Sequence, residues 1–215
     1  MASTPVLAYW DIRGLANPIR MLLEHVGVKY EFKVWDHEPE TGWFAQKDKL
    51  DIKFPNLPYY IEGDKKFSQS GAIIKYLARK HGLVAKNEDD LIQQDIVDGL
   101  LQDFRNLWSW LVYVSSNDLE TDKPRYHARV DPVMKQLDEM LDKQKFLVGD
   151  YLTYNDFIFF EILDINTKLF PDFLQQFPNL QKYHDRIQHL KGVQEYLQSD
   201  RNPKKINGFV AKWGG

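Results

Sequence analysis

The first half of the chain alternates short apolar segments with an amphipathic pattern, which is typical of an α/β domain. Residues 6–9 form a short apolar run and residues 29–35 alternate, so both are predicted to be strands. Between them, apolar residues recur at helical spacing from about Leu15 until Gly27, a natural helix stop. A β-α-β unit of this kind predicts two parallel strands.

The stretch 54–61, FPNLPYYI, does not suit a helix, because each proline lacks an amide donor and pushes the preceding residue to extended geometry. Glu62-Gly63-Asp64 is typical of a tight turn, so residues 59–61 and 65–67 are predicted to pair as a hairpin. Two conformations of the bond before Pro58 remain open. A trans bond is the commoner one, whereas a cis bond would turn the Leu57 N–H and C=O toward a ligand.

Ser68-Gln69-Ser70 then opens an amphipathic helix that ends at Lys80-His81-Gly82. Unpaired N–H groups and the helix dipole make such a start a site for a carboxylate or phosphate, with the Ser70 hydroxyl and Gln69 amide as added donors. The alternative is that Ser70 only caps the helix.

Trp43 and Lys47, in the polar segment 36–53, are four residues apart and would share one face of a short helix. For an isolated pair, a lysine stem lying over an exposed ring is the simpler interpretation. The whole half then has the order β-α-β-α-β-β-α, which is thioredoxin-like.

The second half carries only helical patterns after a polar, acidic segment at 83–90 that is typical of a linker. The predicted helices run from residue 92 until Ser115-Ser116-Asn117, over residues 124–141 with a bend or break near Pro132, over residues 153–169, and over residues 180–197 in two pieces around Gly192. The third opens with a capping box, Thr153 to Asp156, and is apolar almost all round, which predicts that it is the core of an all-α domain.

Composition excludes several functions for these 215 residues. Their net charge is 28 − 31 = −3 with mixed signs, so no basic field indicates nucleic acid. The most apolar run, residues 157–160, is stopped at Glu161, far short of a membrane span. No signal peptide is recognised, so we expect a cytoplasmic location. The six histidines are scattered and predict no metal site. Because there is no cysteine, any thiol chemistry must use a thiol from a ligand.

Four motifs stand in order along the chain: Tyr9-Trp10-Asp11-Ile12-Arg13-Gly14, Phe54-Pro55-Asn56-Leu57-Pro58-Tyr59, Gln69-Ser70 and Tyr76-Leu77-Ala78-Arg79-Lys80-His81. With them, a cysteine-free thioredoxin-like half joined to a helical half resembles the cytosolic glutathione transferases, and specifically a mu-like class. The similarity covers essentially the whole chain. It implies a glutathione-binding domain at residues 1–82, a linker at 83–90 and an all-α domain at 91–215 that forms the electrophile site.

The resemblance implies an enzyme that conjugates the thiolate of reduced glutathione to hydrophobic electrophiles in detoxification, with glutathione as co-substrate and no cofactor. Tyr9 would be the catalytic residue, hydrogen-bonded to the sulfur. The resemblance implies that Gln69 and Ser70 bind the γ-glutamyl carboxylate and that Asp103 of the partner subunit binds the γ-glutamyl ammonium. Asn56 and the Leu57 backbone would hold the cysteinyl part. Lys47 and the Trp43 indole would bind the glycyl carboxylate, and Trp10 and Leu15 would line the site. The implied electrophile side contains Asn106, Tyr113 and Gly208.

One phenol can supply most of the free energy that the implied thiol activation needs. Lowering a thiol pKa from about 8.5 by roughly two units takes about 2.7 kcal/mol. A hydrogen bond to a charged acceptor contributes about 1.5–3 kcal/mol. The alternative is that Tyr9 merely ends a strand. The segment before Trp43 is shorter than in mammalian mu enzymes and Glu40 stands where many carry a basic residue, so we expect Lys47 to bear more of the anion binding and glutathione affinity to be lower.

The resemblance also implies a homodimer. Phe54 matches the aromatic residue that inserts into the partner's helical domain, and Arg79 and Asp95 match charges near the twofold axis. Ordinary core packing is the alternative for Phe54. Two other functions stay open on this fold: a carrier or structural protein without turnover, and a glutathione-dependent isomerase.

Overall fold

The chain divides into two compact units in a computed structural model that describes residues 3–215. One unit comprises the residues up to Gly82 together with Lys191–Ile206, and the other comprises Leu83–Leu190 and Asn207–Gly215. By sequence order alone we assigned the segment Lys191–Ile206 to the helical half. Its side chains instead bond within the first unit, where the Tyr196 hydroxyl donates to Asn17 Oδ1 at 2.7 Å.

A four-stranded mixed sheet lies in the first unit. The strands are β1 (Val6–Trp10), β2 (Glu31–Trp35), β3 (Tyr59–Glu62) and β4 (Lys65–Ser68), in the order β2-β1-β3-β4. The pair β1 and β2 is parallel, while β3 runs antiparallel to both β1 and β4. The predicted β-α-β unit and hairpin are therefore confirmed.

The described residues contain eight α-helices, which are α1 (Asn17–His25), α2 (Trp43–Gln46), α3 (Ser70–His81), α4 (Glu88–Ser109), α5 (Leu119–Leu141), α6 (Tyr154–Leu169), α7 (Pro178–Gln188) and α8 (Val193–Gln198). The predicted thioredoxin-like order followed by helices is confirmed. The pattern that begins near Leu15 starts with a 3-10 turn, Gly14–Ala16, before α1. As predicted, Gly192 separates the last two helices, with a left-handed φ of 79°.

Helix α6 forms the core of the second unit, as its all-round apolar pattern predicts. Phe157, Phe159 and Phe160 are fully buried, and the predicted capping box between Thr153 and Asp156 is present. The Asp156 carboxylate also accepts from the Leu147 N–H at 3.0 Å and the Tyr183 hydroxyl at 2.9 Å. Burial raises the pKa of Asp156 to about 6, against these hydrogen bonds, which lower it.

Helix α5 corrects two parts of the sequence prediction, the start at residue 124 and a break near Pro132. It starts at Leu119, because Asp118 caps it by accepting from the Thr121 N–H at 2.8 Å, and it continues without interruption through both prolines. Its buried face, including Tyr126, Val130 and Met134, packs in the second unit. This packing outweighs the hydrogen bonds that the prolines cannot make.

Helix α4 ends in a π-helical turn, Trp110–Val114, in which the Ser115 N–H donates to the Trp110 carbonyl at 2.9 Å. The turn buries Leu111 and Val112 and leaves Tyr113 partly exposed. Between residues 3 and 215, no helix is both long and apolar enough to cross a membrane.

Candidate active site

Tyr9 lies near the carboxyl end of β1, with its ring 6% exposed in the core of the first unit. Its hydroxyl oxygen accepts a hydrogen bond from the Leu15 backbone N–H at 3.2 Å. A phenol that accepts through its oxygen still carries its own hydrogen as a donor. The loop after β1 therefore fixes the oxygen of the predicted catalytic residue.

Gly14 brings this loop close to the Tyr9 ring. A Cβ at Gly14 would lie 2.8 Å from Tyr9 Oη and 2.8 Å from Cε1, and the φ of 41° is in the left-handed region. The Gly14 N–H donates to the Ile206 carbonyl at 3.0 Å, and the Arg13 N–H donates to the Lys205 carbonyl at 2.8 Å. Only glycine meets both the backbone and the space requirement here.

The Leu57–Pro58 peptide bond is cis, so the second of the two conformations left open by the sequence is the one present. Leu57 is buried in the same apolar cluster as Tyr9 and Trp43. Its backbone N–H donates to the side-chain oxygen of Asn56 at 2.9 Å. Because Asn56 is exposed, its amide oxygen can rotate away and leave this N–H to a carbonyl of a ligand.

Trp43 is the first residue of α2 and Lys47 is its C-cap residue, and the Lys47 N–H donates to the Trp43 carbonyl, so the predicted helical spacing of the pair is confirmed. The Trp43 ring is only 4% exposed and packs between Trp35 and Tyr59, with ring centroids 5.7 Å and 6.2 Å away. A lysine stem over an exposed ring is therefore wrong for this pair. No ion pair to Lys47 occurs among the described residues, so its charge is available to an anion.

Trp10 lies at the end of β1 and packs against the Tyr9 cluster. Its ring stacks on His37, with centroids 4.4 Å apart and planes at 13°. Phe44, which is 63% exposed, extends the stack at 6.2 Å from Trp10. This cluster of three rings, Trp10, His37 and Phe44, belongs to the same unit as the Tyr9 phenol.

The start of α3 carries no side-chain cap. Gln69 is the N-cap residue, with a left-handed φ of 76°, and Ser70 is the first helical residue. The alternative that Ser70 only caps the helix is therefore wrong. Because Tyr59 pairs with Ser68 across the hairpin, the α3 start lies next to the Leu57–Pro58 end of β3.

The residues predicted for the electrophile side lie in the second unit. The Tyr113 hydroxyl accepts from the Gly208 N–H at 2.7 Å, so the structure brings this predicted pair together. Burial raises the pKa of Tyr113, while the Gly208 N–H lowers it. Asn106 lines a cavity of about 510 Å³ between α4 and α5, together with Asp103, and accepts from the Gln102 amide at 3.0 Å.

Comparisons with known proteins cover both units. Residues 5–79 match the glutathione S-transferase N-terminal domain family, and residues 102–200 match the glutathione S-transferase C-terminal domain family. Human glutathione S-transferase Mu 3 is 41% identical over an alignment of 219 positions, which covers 99% of this chain and 96% of that protein. This chain belongs to the mu class of glutathione S-transferases. It conjugates glutathione, the activity EC 2.5.1.18.

Another relative and two solved structures are also similar to this chain and are glutathione S-transferases. Rat glutathione S-transferase Mu 5 is 41% identical over 216 residues, covering 97% of this chain and 95% of its own length. The crystal structure of the glutathione S-transferase Blo t 8 superposes with a TM-score of 0.89 at 32% identity, covering 98% of this chain and all of that one. A pi-class glutathione S-transferase of Onchocerca volvulus superposes with a TM-score of 0.83 at 27% identity, covering 97% of this chain and 100% of that one.

In this glutathione S-transferase the structure adds supporting residues that sequence reasoning did not single out. Gly14 makes room for the Tyr9 phenol, and the Ser68 hydroxyl donates to the Phe54 carbonyl at 2.6 Å, where φ is 55°. The signal for Gly14 was present in the first motif, since a glycine directly after a strand and loop often marks a close approach. No sequence signal points to the Ser68 bond.

Proposed function

We propose that this glutathione S-transferase activates its co-substrate in the first unit, with the sulfur of glutathione against the Tyr9 hydroxyl. The observation that carries this assignment is the buried Tyr9 phenol, whose oxygen accepts from the Leu15 N–H at 3.2 Å. That bond orients the phenol and polarises its O–H, which strengthens the bond it donates. A thiolate would then be held by an oriented donor in a site of low water content.

The energy available from one phenol matches the task. Ionising most of a bound thiol at neutral pH takes about two pKa units, or about 2.7 kcal/mol. A hydrogen bond to a charged acceptor supplies about 1.5–3 kcal/mol. The chain contains no cysteine, so the sulfur nucleophile is that of the bound tripeptide.

The three parts of the tripeptide are each assigned to a further group of residues. The cysteinyl part pairs with the Leu57 backbone, displacing the Asn56 amide oxygen. The γ-glutamyl carboxylate binds at Gln69 and Ser70, which the absence of a side-chain cap on α3 supports. The glycyl carboxylate binds at Lys47 and the Trp43 indole, with Trp10 and Leu15 lining the site.

The second unit supplies the electrophile side. Tyr113, Gly208 and Asn106 are the proposed contacts of a hydrophobic electrophile. The raised pKa keeps Tyr113 protonated at neutral pH, so it can donate to a group that gains negative charge. Bringing thiolate and electrophile together is a large share of such catalysis.

We also propose the quaternary and cellular setting that the resemblance implies. The protein acts in the cytoplasm as a homodimer, in which Asp103 meets the γ-glutamyl ammonium bound by the partner subunit. Arg79 and Asp95 lie near the twofold axis. Phe54, which is 74% exposed, is available to insert into the partner's helical domain, whereas ordinary core packing would bury it. The first unit serves as the glutathione domain and the second unit as the electrophile domain.

Replacing Tyr9 with Phe tests the central assignment. We expect the apparent pKa of bound glutathione to rise by about one to two units, because the donor to the thiolate is lost. The measurement is thiolate absorbance of the enzyme–glutathione complex across pH. Tyr113→Phe is the matched control, since it removes a phenol on the electrophile side and should leave this pKa unchanged. An unchanged pKa in Tyr9→Phe rejects the assignment.

A further inference from the structure

Arg20 is a buried cation with two of its three nitrogens lacking a hydrogen bond among residues 3–215, and it lines a cavity together with Asp11 and Asp200. It lies on α1 with 1% of its surface exposed, and its Cζ lies 4.0 Å from the centre of the Phe32 ring. Its Nη1 donates to the Ile12 carbonyl at 3.0 Å, while Nε and Nη2 find no acceptor among residues 3–215. Such a group costs stability, and an apolar side chain of similar size often replaces a buried charge without loss. Stability alone therefore does not explain this arginine.

The one hydrogen bond that Arg20 makes among residues 3–215 is to the loop that reaches the Tyr9 hydroxyl. Ile12, which accepts from Arg20, is three residues before Leu15, which donates to Tyr9 Oη at 3.2 Å. On the same loop, the Arg13 and Gly14 amides donate to the carbonyls of residues 205 and 206. The loop is thus held on one side by α1 and on the other by the chain that follows α8.

We propose that Arg20 is a positioning residue for thiol activation. By holding the Ile12 carbonyl, its guanidinium fixes the loop so that the Leu15 N–H meets the Tyr9 oxygen. It touches neither glutathione nor the electrophile, and acts through the orientation and polarisation of the phenol. The inference rests on the role of Tyr9 proposed above.

Arg20→Met tests the inference, because it keeps the length and apolar contact of the stem but donates no hydrogen bond. We expect the pKa of bound glutathione to rise by about 0.5–1 unit, the shift that corresponds to losing one neutral hydrogen bond to the phenol. The kcat at pH 6.5 should fall by about three- to tenfold and approach the wild-type value at high pH, where the thiol ionises unaided. The KM for the electrophile should not change.

Two variants give the matched comparison. Arg20→Lys retains the charge and one donor able to reach Ile12, so it should restore most of the wild-type pKa. Tyr196→Phe removes another buried hydrogen bond to α1, the one to Asn17 at 2.7 Å, and leaves the bonds of Ile12 and Leu15 in place. We expect it to lower the thermal stability and leave the pKa of bound glutathione unchanged. If Arg20→Met does not fold, Arg20→Gln, which is shorter, should give a pKa rise of the same sign.

The double variant with Tyr9→Phe separates this inference from the function it rests on. Once the phenol hydroxyl is gone, Arg20→Met should add no further pKa shift. A shift in Tyr9→Phe with none in the Arg20 variants overturns the positioning role alone. No shift in Tyr9→Phe rejects the role of Tyr9 itself. A pKa rise in Tyr196→Phe equal to that in Arg20→Met would also overturn the proposal, because it would show a general effect of a loosened α1.

Discussion

Replacing Gly14 with alanine places one methyl group against the Tyr9 phenol, the proposed catalytic group. The added Cβ would lie 2.8 Å from both Tyr9 Oη and Cε1. Carbon contacts are comfortable at about 3.5–4.0 Å, so the ring must move by roughly 1 Å or the loop must retreat. Either movement stretches the bond between the Leu15 N–H and Tyr9 Oη, which is 3.2 Å long, beyond hydrogen-bonding distance.

The substitution should have two separable effects, one on the free energy of unfolding and one on the pKa of bound glutathione. Alanine at a φ of 41° carries about 1–2 kcal/mol of backbone strain, which lowers the free energy of unfolding. Misplacing the phenol removes part of a bond to the thiolate worth about 1.5–3 kcal/mol, so the pKa of bound glutathione should rise by about one unit or more. At pH 6.5 we expect kcat/KM to fall by about tenfold or more.

Gly63→Ala is the matched control. Gly63 lies in the β3–β4 turn with a φ of 57°, and an added Cβ there meets nothing within 4 Å. It should lose similar stability in a denaturant titration and keep the wild-type pKa of bound glutathione. If Gly14→Ala and Gly63→Ala give the same thiolate titration curve, the close approach to Tyr9 has no catalytic consequence and the reasoning fails.

Three further predictions concern other parts of the molecule. Asp156→Ala should lower the free energy of unfolding by more than about 3 kcal/mol, because it leaves several buried donors unpaired. Since burial raises the native pKa of Asp156 from 3.8 to about 6, its native state binds the proton more tightly than the unfolded chain, and wild-type stability should fall as pH rises from about 4 to 6. The difference in free energy of unfolding between the wild type and Asp156→Ala should therefore shrink across that pH range in denaturant titrations. A difference that grows with pH would contradict the raised pKa of Asp156. Tyr113→Phe should lower kcat about tenfold for electrophiles that gain negative charge on addition and leave direct substitution unchanged, as product assays with both kinds would show. Ser68→Ala should lower the free energy of unfolding by about 1–2 kcal/mol by leaving the Phe54 carbonyl unpaired, and an unchanged denaturation midpoint would refute the importance of that bond.

Local patterns carried most of the fold prediction. The β-α-β unit, the hairpin and the capping box at Thr153 each depend on residues close in sequence, and each is confirmed. The α5 prediction failed because it weighed Pro132 by itself. The energy that keeps that helix continuous comes from a buried face that packs on other helices, and this is not visible in the helix's own sequence.

The candidate site likewise divides into features that local motifs predict and side-chain contacts that they do not. Motifs placed Tyr9, Leu57 and Gln69 in one half of the chain, and the structure sets them around one hairpin and its neighbouring strand. The sequence left the peptide bond before Pro58 open, because cis and trans forms differ little in energy at proline. The contact of Gly14 with the Tyr9 ring and the Arg20 bond to Ile12 depend on side-chain directions that no spacing rule contains.

The wide turn at Trp110–Val114 has a consequence for how this enzyme can change its substrate range. It adds one residue to the helix relative to an α-helical path, and each residue turns a helix by about 100°. Deleting one residue before Tyr113 would restore the regular path and swing the phenol away from Gly208 by about that angle. A change in helix length at this point would therefore move Tyr113 on the proposed electrophile side without any change in the glutathione domain.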